Sequence, residues 1–232
     1  MTAVPGRFLL LGSGEFEPWS GEAERFALGG ASGDGSVAVL ATASGREGDA
    51  VYARWTGMGL AHYASLGITA HVVPVRNHAD ALDPAMATPI DGASMVFFSG
   101  GSPKYLAETL SGTPVWDAVQ RFVDRGGVFA GCSAGAMIAG APGMRFPFAS
   151  GRGLLPTTAV GVHWDALSAW WIRWLRDLAP RRLPSRVRFI GIAENTAIAS
   201  DGDAWRVFGA GEVDMRLGRD RQAYHTGDRF SR

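Results

Sequence analysis

Ser133 stands at the centre of Gly131-Cys132-Ser133-Ala134-Gly135, a G-x-S-x-G pattern. The apolar run Val128-Phe129-Ala130 precedes it and helix-compatible residues follow it. A serine on a sharp strand-to-helix turn has its oxygen lifted clear of the sheet, where it can attack an electrophile. Such a turn needs glycine on both sides, because a side chain there would strike neighbouring backbone. A helix opening at Ala134 also aims N–H groups and the positive end of its dipole at a developing oxyanion. The bare pattern arises by chance in glycine-rich chains. Its setting between strand and helix is what favours a nucleophile over a structural turn. Cys132 is the adjacent competitor. For it to occupy the turn, Ala130 and Ala134 would have to be glycines, so it reads as a small buried neighbour.

A second glycine loop, Ser99-Gly100-Gly101-Ser102-Pro103, follows Phe97-Phe98. Backbone N–H groups of Gly101 and Ala134 would together make a two-donor oxyanion hole. The same loop also reads as an ordinary strand-to-helix turn with Pro103 opening the helix, and the two roles are compatible. Five histidines could supply a base. His62 and His71 read as surface or core residues, and His78 falls in a polar loop. His163 and His225 lie downstream of the serine. His163 ends a strand at 157–162, on the side of Ser133 if that strand is parallel. Glu194, after a strand at 189–193, is the best-placed acid. Asp165, Asp201 and Asp203 are alternatives, the last two reading more readily as turn formers. The segment Leu11-Gly12-Ser13-Gly14-Glu15-Phe16 begins like a dinucleotide fingerprint, but Glu17 replaces the third glycine and Pro18 follows. A nucleotide site is not expected there.

These residues need elements to hold them. Apolar runs at 7–11, 37–41, 70–74, 94–99 and 127–130 end in small or glycine-rich turns, with helical spacing at 48–66, 105–110 and 115–125 between them. Strands alternating with helices imply a parallel sheet covered on both faces, and the nearly unbroken apolar character of the runs agrees. After residue 130 the pattern changes to an irregular stretch at 140–156, the strand at 157–162 and an amphipathic helix at 164–178. Strands at 197–200 and 204–208 with Asp201-Gly202 between them read as a hairpin, and 215–217 as an edge strand. The expected fold is a three-layer, doubly wound, mostly parallel α/β sheet with a C-terminal antiparallel hairpin. One domain is expected over residues 1–217, followed by a frayed polar tail at 218–232.

Composition bounds the rest. The 232 residues carry 22 basic and 22 acidic side chains, which argues against broad binding to nucleic acid or an anionic membrane. A single cysteine excludes an intrachain disulfide framework and a cysteine-based zinc cluster. The opening MTAVPGRFLLLGSG reads as a first strand and not as a signal peptide, and no run is long enough to cross a membrane. A cytoplasmic location is expected. The 32 glycines, about twice the usual ~7%, fall mostly at strand ends, where open α/β sheets place their active sites.

The segments LLLGSGEF, VAVLATAS, VFFSGG, VFAGCSAGAM, VGVHW and FIGIAENTAI occur in this order across roughly residues 8–210. In these the chain resembles the serine peptidase family of dipeptidase E and cyanophycinase, relatives of class I glutamine amidotransferase-like domains. The resemblance places the nucleophile on Ser133, the histidine on His163, the acid on Glu194 and an oxyanion-hole glycine on Gly101. It implies a cofactor-free serine peptidase, holding no metal, that acts on a small or unusual peptide through an acyl-enzyme. The chain also departs from the family. Ser102-Pro103 replaces the Asp-Gln or Asn-Thr that commonly follows Gly-Gly. Gly161-Val162 replaces the Asp-Gln that precedes the histidine of cyanophycinase, and Leu167, Ala169 and Ile172 replace its arginines. A β-Asp-Arg polymer is therefore not the expected substrate. An N-terminal aspartyl dipeptide is compatible with the sequence, with Ser102 at the site and Arg173 or Arg176 either pairing with a carboxylate or simply solvated. The tryptophans of 164–178 read as core, or else as a substrate wall or homodimer face. Two rival readings stand beside this one. A non-catalytic ligand-binding or dimerisation domain could share the fold, and an esterase could use Ser133, His225 and Asp201 or Asp203.

Overall fold

The first strand, β1 (Arg7–Leu11), shows how the sheet is built. Successive side chains of a strand point to opposite faces. Phe8 and Leu10 enter one hydrophobic core, whereas Leu9 and Leu11 enter the other. The same division runs through β2 (Val37–Leu40), β4 (Met95–Phe98) and β5 (Val128–Cys132). Past Arg7 at the start of β1, each of these strands is built of apolar and small residues because it has two cores to fill. In this computed structural model, residues 6–143, 150–166, 178 and 180–232 are described.

Parallel pairing joins β1, β5, β4, β2 and β3 (Ala70–Val72) in that spatial order. The helices between them close on both faces. In α6 (Pro114–Asp124), Thr113 accepts the Trp116 N–H as N-cap and Pro114 opens the first turn. Val115, Trp116, Ala118, Val119, Phe122 and Val123 form its buried stripe. The long helix α2 (Asp49–Ser65) matches the expected 48–66. A helix that the sequence pattern did not suggest, α1 (Ser20–Leu28), packs beside α2. Its buried positions include Glu24, whose Oε2 lies 2.6 Å from His62 Nε2 of α2. A polar pair at an inward position hides the apolar periodicity that would have marked the helix. Two short helices, α3 (His78–Leu82) and α4 (Thr88–Gly92), complete the connection to β4.

After β5 the chain leaves this sheet. A second sheet contains β6 (Thr158–Gly161) parallel to β7 (Arg188–Ile192), with β10 (Val213–Leu217) and β11 (Asp220–Tyr224) added antiparallel. Between β7 and β10 runs the expected hairpin, β8 (Thr196–Asp201) and β9 (Ala204–Gly209). It returns to the first sheet, where β8 pairs antiparallel with β1. The strand expected at 189–193 is β7, in the second sheet. Two expectations need correction. The strand near 215–217 is internal, between β7 and β11. Residues 218–232 are not a frayed tail: β11 pairs with β10, and β12 (Arg229–Ser231) pairs with β9. They read as a tail because β11 and β12 are edge strands, largely exposed and therefore polar. Phe230 is the buried anchor, stacked on Tyr224 with ring centroids 4.4 Å apart.

The expected helix at 164–178 falls mostly outside the described residues, as do Arg173, Arg176, Leu167, Ala169 and Ile172. Among the described residues, no helix is long and apolar enough to cross a membrane.

Candidate active site

Topology brings the chemistry together. Strands β1, β5 and β4 are parallel, so the loops after them share one rim of the sheet. Antiparallel β8 begins at that rim, with Ala197 opposite Leu11. In the second sheet, Gly161 and Gly191 are in register, so the residues after β6 and β7 also emerge side by side. Open α/β sheets bind ligands at such carboxyl ends.

Ser133 follows β5 directly and has φ 49°, ψ −111°, a strained backbone for a residue with a side chain. Its N–H donates to Leu11 O at 3.0 Å, and its carbonyl accepts the Met137 N–H at 3.0 Å, starting α7 (Ala134–Met137). The neighbouring glycines are required by contact. A Cβ on Gly131 would lie 2.3 Å from the Gly135 carbonyl carbon, and one on Gly135 would lie 2.0 Å from Phe98 O. This is the strand–turn–helix that the pattern around Ser133 implied.

His163 and Glu194 complete a continuous hydrogen-bonded line. His163 Nε2 lies 3.1 Å from Ser133 Oγ, and His163 Nδ1 lies 3.0 Å from Glu194 Oε1. A serine proton has an acceptor here, and the imidazole has a carboxylate to set its tautomer and to face its positive charge. His163 itself has φ 50°. The next residue fixes it: Trp164 N–H donates to Ile192 O at 3.1 Å, and Trp164 Nε1 donates to Asp214 Oδ2 at 3.0 Å. The Trp164 ring also packs on Phe189, with centroids 4.5 Å apart. Asp165, weighed as an alternative acid, instead accepts the backbone N–H of Glu194 at 2.7 Å. Asp165, Trp164, Ala193, Glu212 and Arg221 line a cavity of about 250 Å³.

The glycine loop after β4 approaches from the other side. Gly101 has φ 139°, and a Cβ there would lie 2.6 Å from the Ala43 backbone. Among the described residues, neither the Gly101 N–H nor the Ala134 N–H is taken by a protein acceptor. Ser102, expected at the substrate, accepts the Tyr105 N–H at 3.3 Å and so caps α5 (Pro103–Thr109). Its hydroxyl serves the helix.

The remaining candidates are accounted for elsewhere. His62 is buried against Glu24, His71 Nε2 lies 3.0 Å from Pro89 O, and His78 Nδ1 lies 2.9 Å from Thr109 O. The hairpin residue Asp201 pairs with Arg229 at 2.8 Å. His225 sits in the exposed turn between β11 and β12, its N–H bonded to Asp228. Cys132 is fully buried. Burial pushes its thiol well up, and the charge and hydrogen bond of Glu15 act in the same direction. A thiol held protonated is a poor nucleophile. Glu15 itself carried no signal in the sequence beyond its place in the Gly12-Ser13-Gly14-Glu15 run. No group of three or more His, Cys, Asp or Glu among the described residues is arranged to hold a metal.

Comparison with known proteins extends this picture. Peptidase family S51 matches residues 9–149, from β1 through the elbow. A peptidase from an acI-B1 Actinobacterium superposes with a TM-score of 0.86 at 30% identity, covering 99% of this chain and 98% of that one. A putative peptidase E protein from Listeria monocytogenes EGD-e shares the fold with a TM-score of 0.63 at 14% identity, covering 89% of this chain and 99% of that one. No curated protein matches. The family match stops before His163 and Glu194, so their placement rests on geometry. It spans more than half of the chain and includes the serine elbow: the chain belongs to peptidase family S51 and is a serine peptidase.

Proposed function

We propose that the chain hydrolyses a small or unusual peptide with Ser133 as nucleophile, His163 as general base and acid, and Glu194 as the orienting carboxylate. Ser133 Oγ attacks the scissile carbonyl as His163 Nε2 takes its proton. The N–H groups of Gly101 and Ala134 stabilise the tetrahedral oxyanion. Collapse expels the amine, protonated by His163, and leaves an ester on Ser133. Water activated by the same imidazole then releases the acid product. Glu194 keeps Nδ1 protonated and faces the imidazolium, which lowers the barrier of both halves.

The observation that carries this reading is the unbroken line Ser133 Oγ, His163 Nε2, His163 Nδ1, Glu194 Oε1, with gaps of 3.1 and 3.0 Å. An esterase built on His225 is disfavoured, because the serine already has its imidazole. For substrate class, we propose an N-terminal aspartyl dipeptide, from the family resemblance, with Arg173 as a candidate cation outside the described residues. The test is Ser133→Ala assayed on aspartyl and non-acidic dipeptides and with a fluorophosphonate–rhodamine probe. Loss of hydrolysis by ~10⁴-fold or more, with labelling abolished and the fold intact, is expected. Hydrolysis at the wild-type rate by the alanine variant would overturn the assignment.

A further inference from the structure

The run Gly12-Ser13-Gly14-Glu15 forms no nucleotide fingerprint, yet it lies between the two halves of the proposed machinery. On one side it grips the acid turn: Gly12 N–H donates to Thr196 O at 2.9 Å, and Ser13 Oγ accepts the Asn195 N–H at 3.1 Å. On the other side, Glu15 reaches the oxyanion loop. Its Oε1 accepts the Gly100 N–H at 2.8 Å, and the residue is only 7% exposed. A Cβ placed on Gly100 would lie 2.9 Å from Glu15 Oε1 and 3.5 Å from Ser133 Cβ. The carboxylate and the nucleophile therefore border the same glycine.

We propose that Glu15 is a positioning residue, whose carboxylate fixes the Gly100–Gly101 peptide and so aims the Gly101 N–H at the oxyanion formed on Ser133. The geometry supports this from both ends of the loop. Glu15 takes the N–H before Gly101, and Ala43 O takes the Ser102 N–H after it at 3.0 Å. The Gly101 N–H between these anchors has no protein acceptor among the described residues. Its direction is set by its neighbours, and a donor must be set before reaction to stabilise charge without reorganisation. A carboxylate also makes a stronger acceptor for an amide N–H than a neutral group does.

This inference rests on Ser133 acting as the nucleophile, and the test separates the two ideas. Saturation kinetics of labelling by fluorophosphonate–rhodamine give a maximal rate and a half-saturating probe concentration. Glu15→Asp keeps the charge but withdraws the oxygen by one methylene. Glu15→Gln keeps an oxygen within reach and removes the charge. The expected result is a maximal rate ~10²-fold lower for Glu15→Asp at an unchanged half-saturating concentration, largely restored in Glu15→Gln. Equal rates for the two variants overturn the inference, whether both are fast or both slow. So does a Glu15→Asp protein that no longer melts cooperatively while Glu15→Gln does, because Glu15 would then serve the fold alone. Labelling that persists in Ser133→Ala, or is absent from the wild type, overturns the underlying assignment of Ser133 instead.

Discussion

Asp165 Oδ1 accepts the backbone N–H of Glu194 at 2.7 Å, so a residue two positions after the histidine holds the residue that supplies its carboxylate partner. The two strands that carry them, β6 and β7, are adjacent and parallel, and this bond ties their outgoing loops together. Glu194 is about half exposed and gains little positional restraint from packing. Removing the tie should let the carboxylate drift from His163 Nδ1 without disturbing substrate contacts. Asp165→Ala is expected to lower kcat by ~10-fold with KM little changed, and Asp165→Asn to restore most of the loss. Steady-state kinetics on any cleaved dipeptide measure both. A loss confined to KM would show that Asp165 faces substrate.

Asp214 holds the other flank of the histidine through the Trp164 indole, and it is fully buried with Arg216 and Arg221 beside it. Burial alone would raise its pKa. Hydrogen bonds from Arg216 and Trp164 and the charges of both arginines outweigh that and hold the carboxyl below its usual 3.8. A depressed folded pKa gives stability that is present above the unfolded value and is lost as pH falls through the folded one. The affected window therefore lies below about pH 3.8. Urea unfolding should show wild type losing stability more steeply in that window than Asp214→Asn. At neutral pH, Asp214→Ala takes the carboxylate away from the buried Arg216 guanidinium and should cost about 3 kcal/mol. It should also slow fluorophosphonate labelling, because Trp164 no longer anchors His163.

Residue types wrote the elbow into the sequence, because its steric demands are local. Gly131, Ser133 and Gly135 must be small or nucleophilic whatever else the chain does, and β5 and α7 must flank them. The central parallel strands β2, β4 and β5 were equally legible, since burial on both faces leaves no charged residue to interrupt them. Partners were harder. Nothing in the composition of β7 says that it pairs with β6 and β10, and the polar strands β11 and β12 look like a tail until their neighbours are known. Helix α1 was masked by Glu24, whose compensation by His62 lies on a separate helix. Glu15 and Asp165 were illegible as positioning groups for the same reason. Each binds a backbone N–H, and a backbone partner leaves no trace in the identity of the residue it belongs to.

Cys132 offers a direct check on which of two adjacent nucleophilic side chains is reactive. It lies fully buried next to Ser133, with its thiol pushed well above the usual 9.0 by burial and then by Glu15. Reaction needs the thiolate and access to it, and both are denied. The native protein should not react with a disulfide reagent such as dithionitrobenzoate at pH 8, and should titrate one thiol once unfolded in guanidinium. Peptide mapping after fluorophosphonate treatment should place the label on Ser133. Rapid thiol titration in the folded protein would contradict this burial.

Two glycines make opposite predictions for the same substitution. A Cβ on Gly135 would lie 2.0 Å from Phe98 O, in the strand that leads into the Gly100–Gly101 loop. Neither side can yield cheaply: β4 is paired on both edges, and α7 starts from Ser133 itself. Gly135→Ala should therefore push the elbow and the glycine loop apart, cost on the order of 3 kcal/mol and lower labelling by ~10²-fold. Gly57 lies within helix α2, exposed, and a methyl group added there would meet nothing within 4 Å. Gly57→Ala should stabilise the protein by about 1 kcal/mol through helix propensity alone and leave labelling unchanged. Thermal melts and labelling rates on the pair test whether close backbone approach, and not glycine content in general, sets the architecture at Ser133. If Gly135→Ala melts and labels like wild type, the contact between α7 and β4 is looser than a 2.0 Å approach allows.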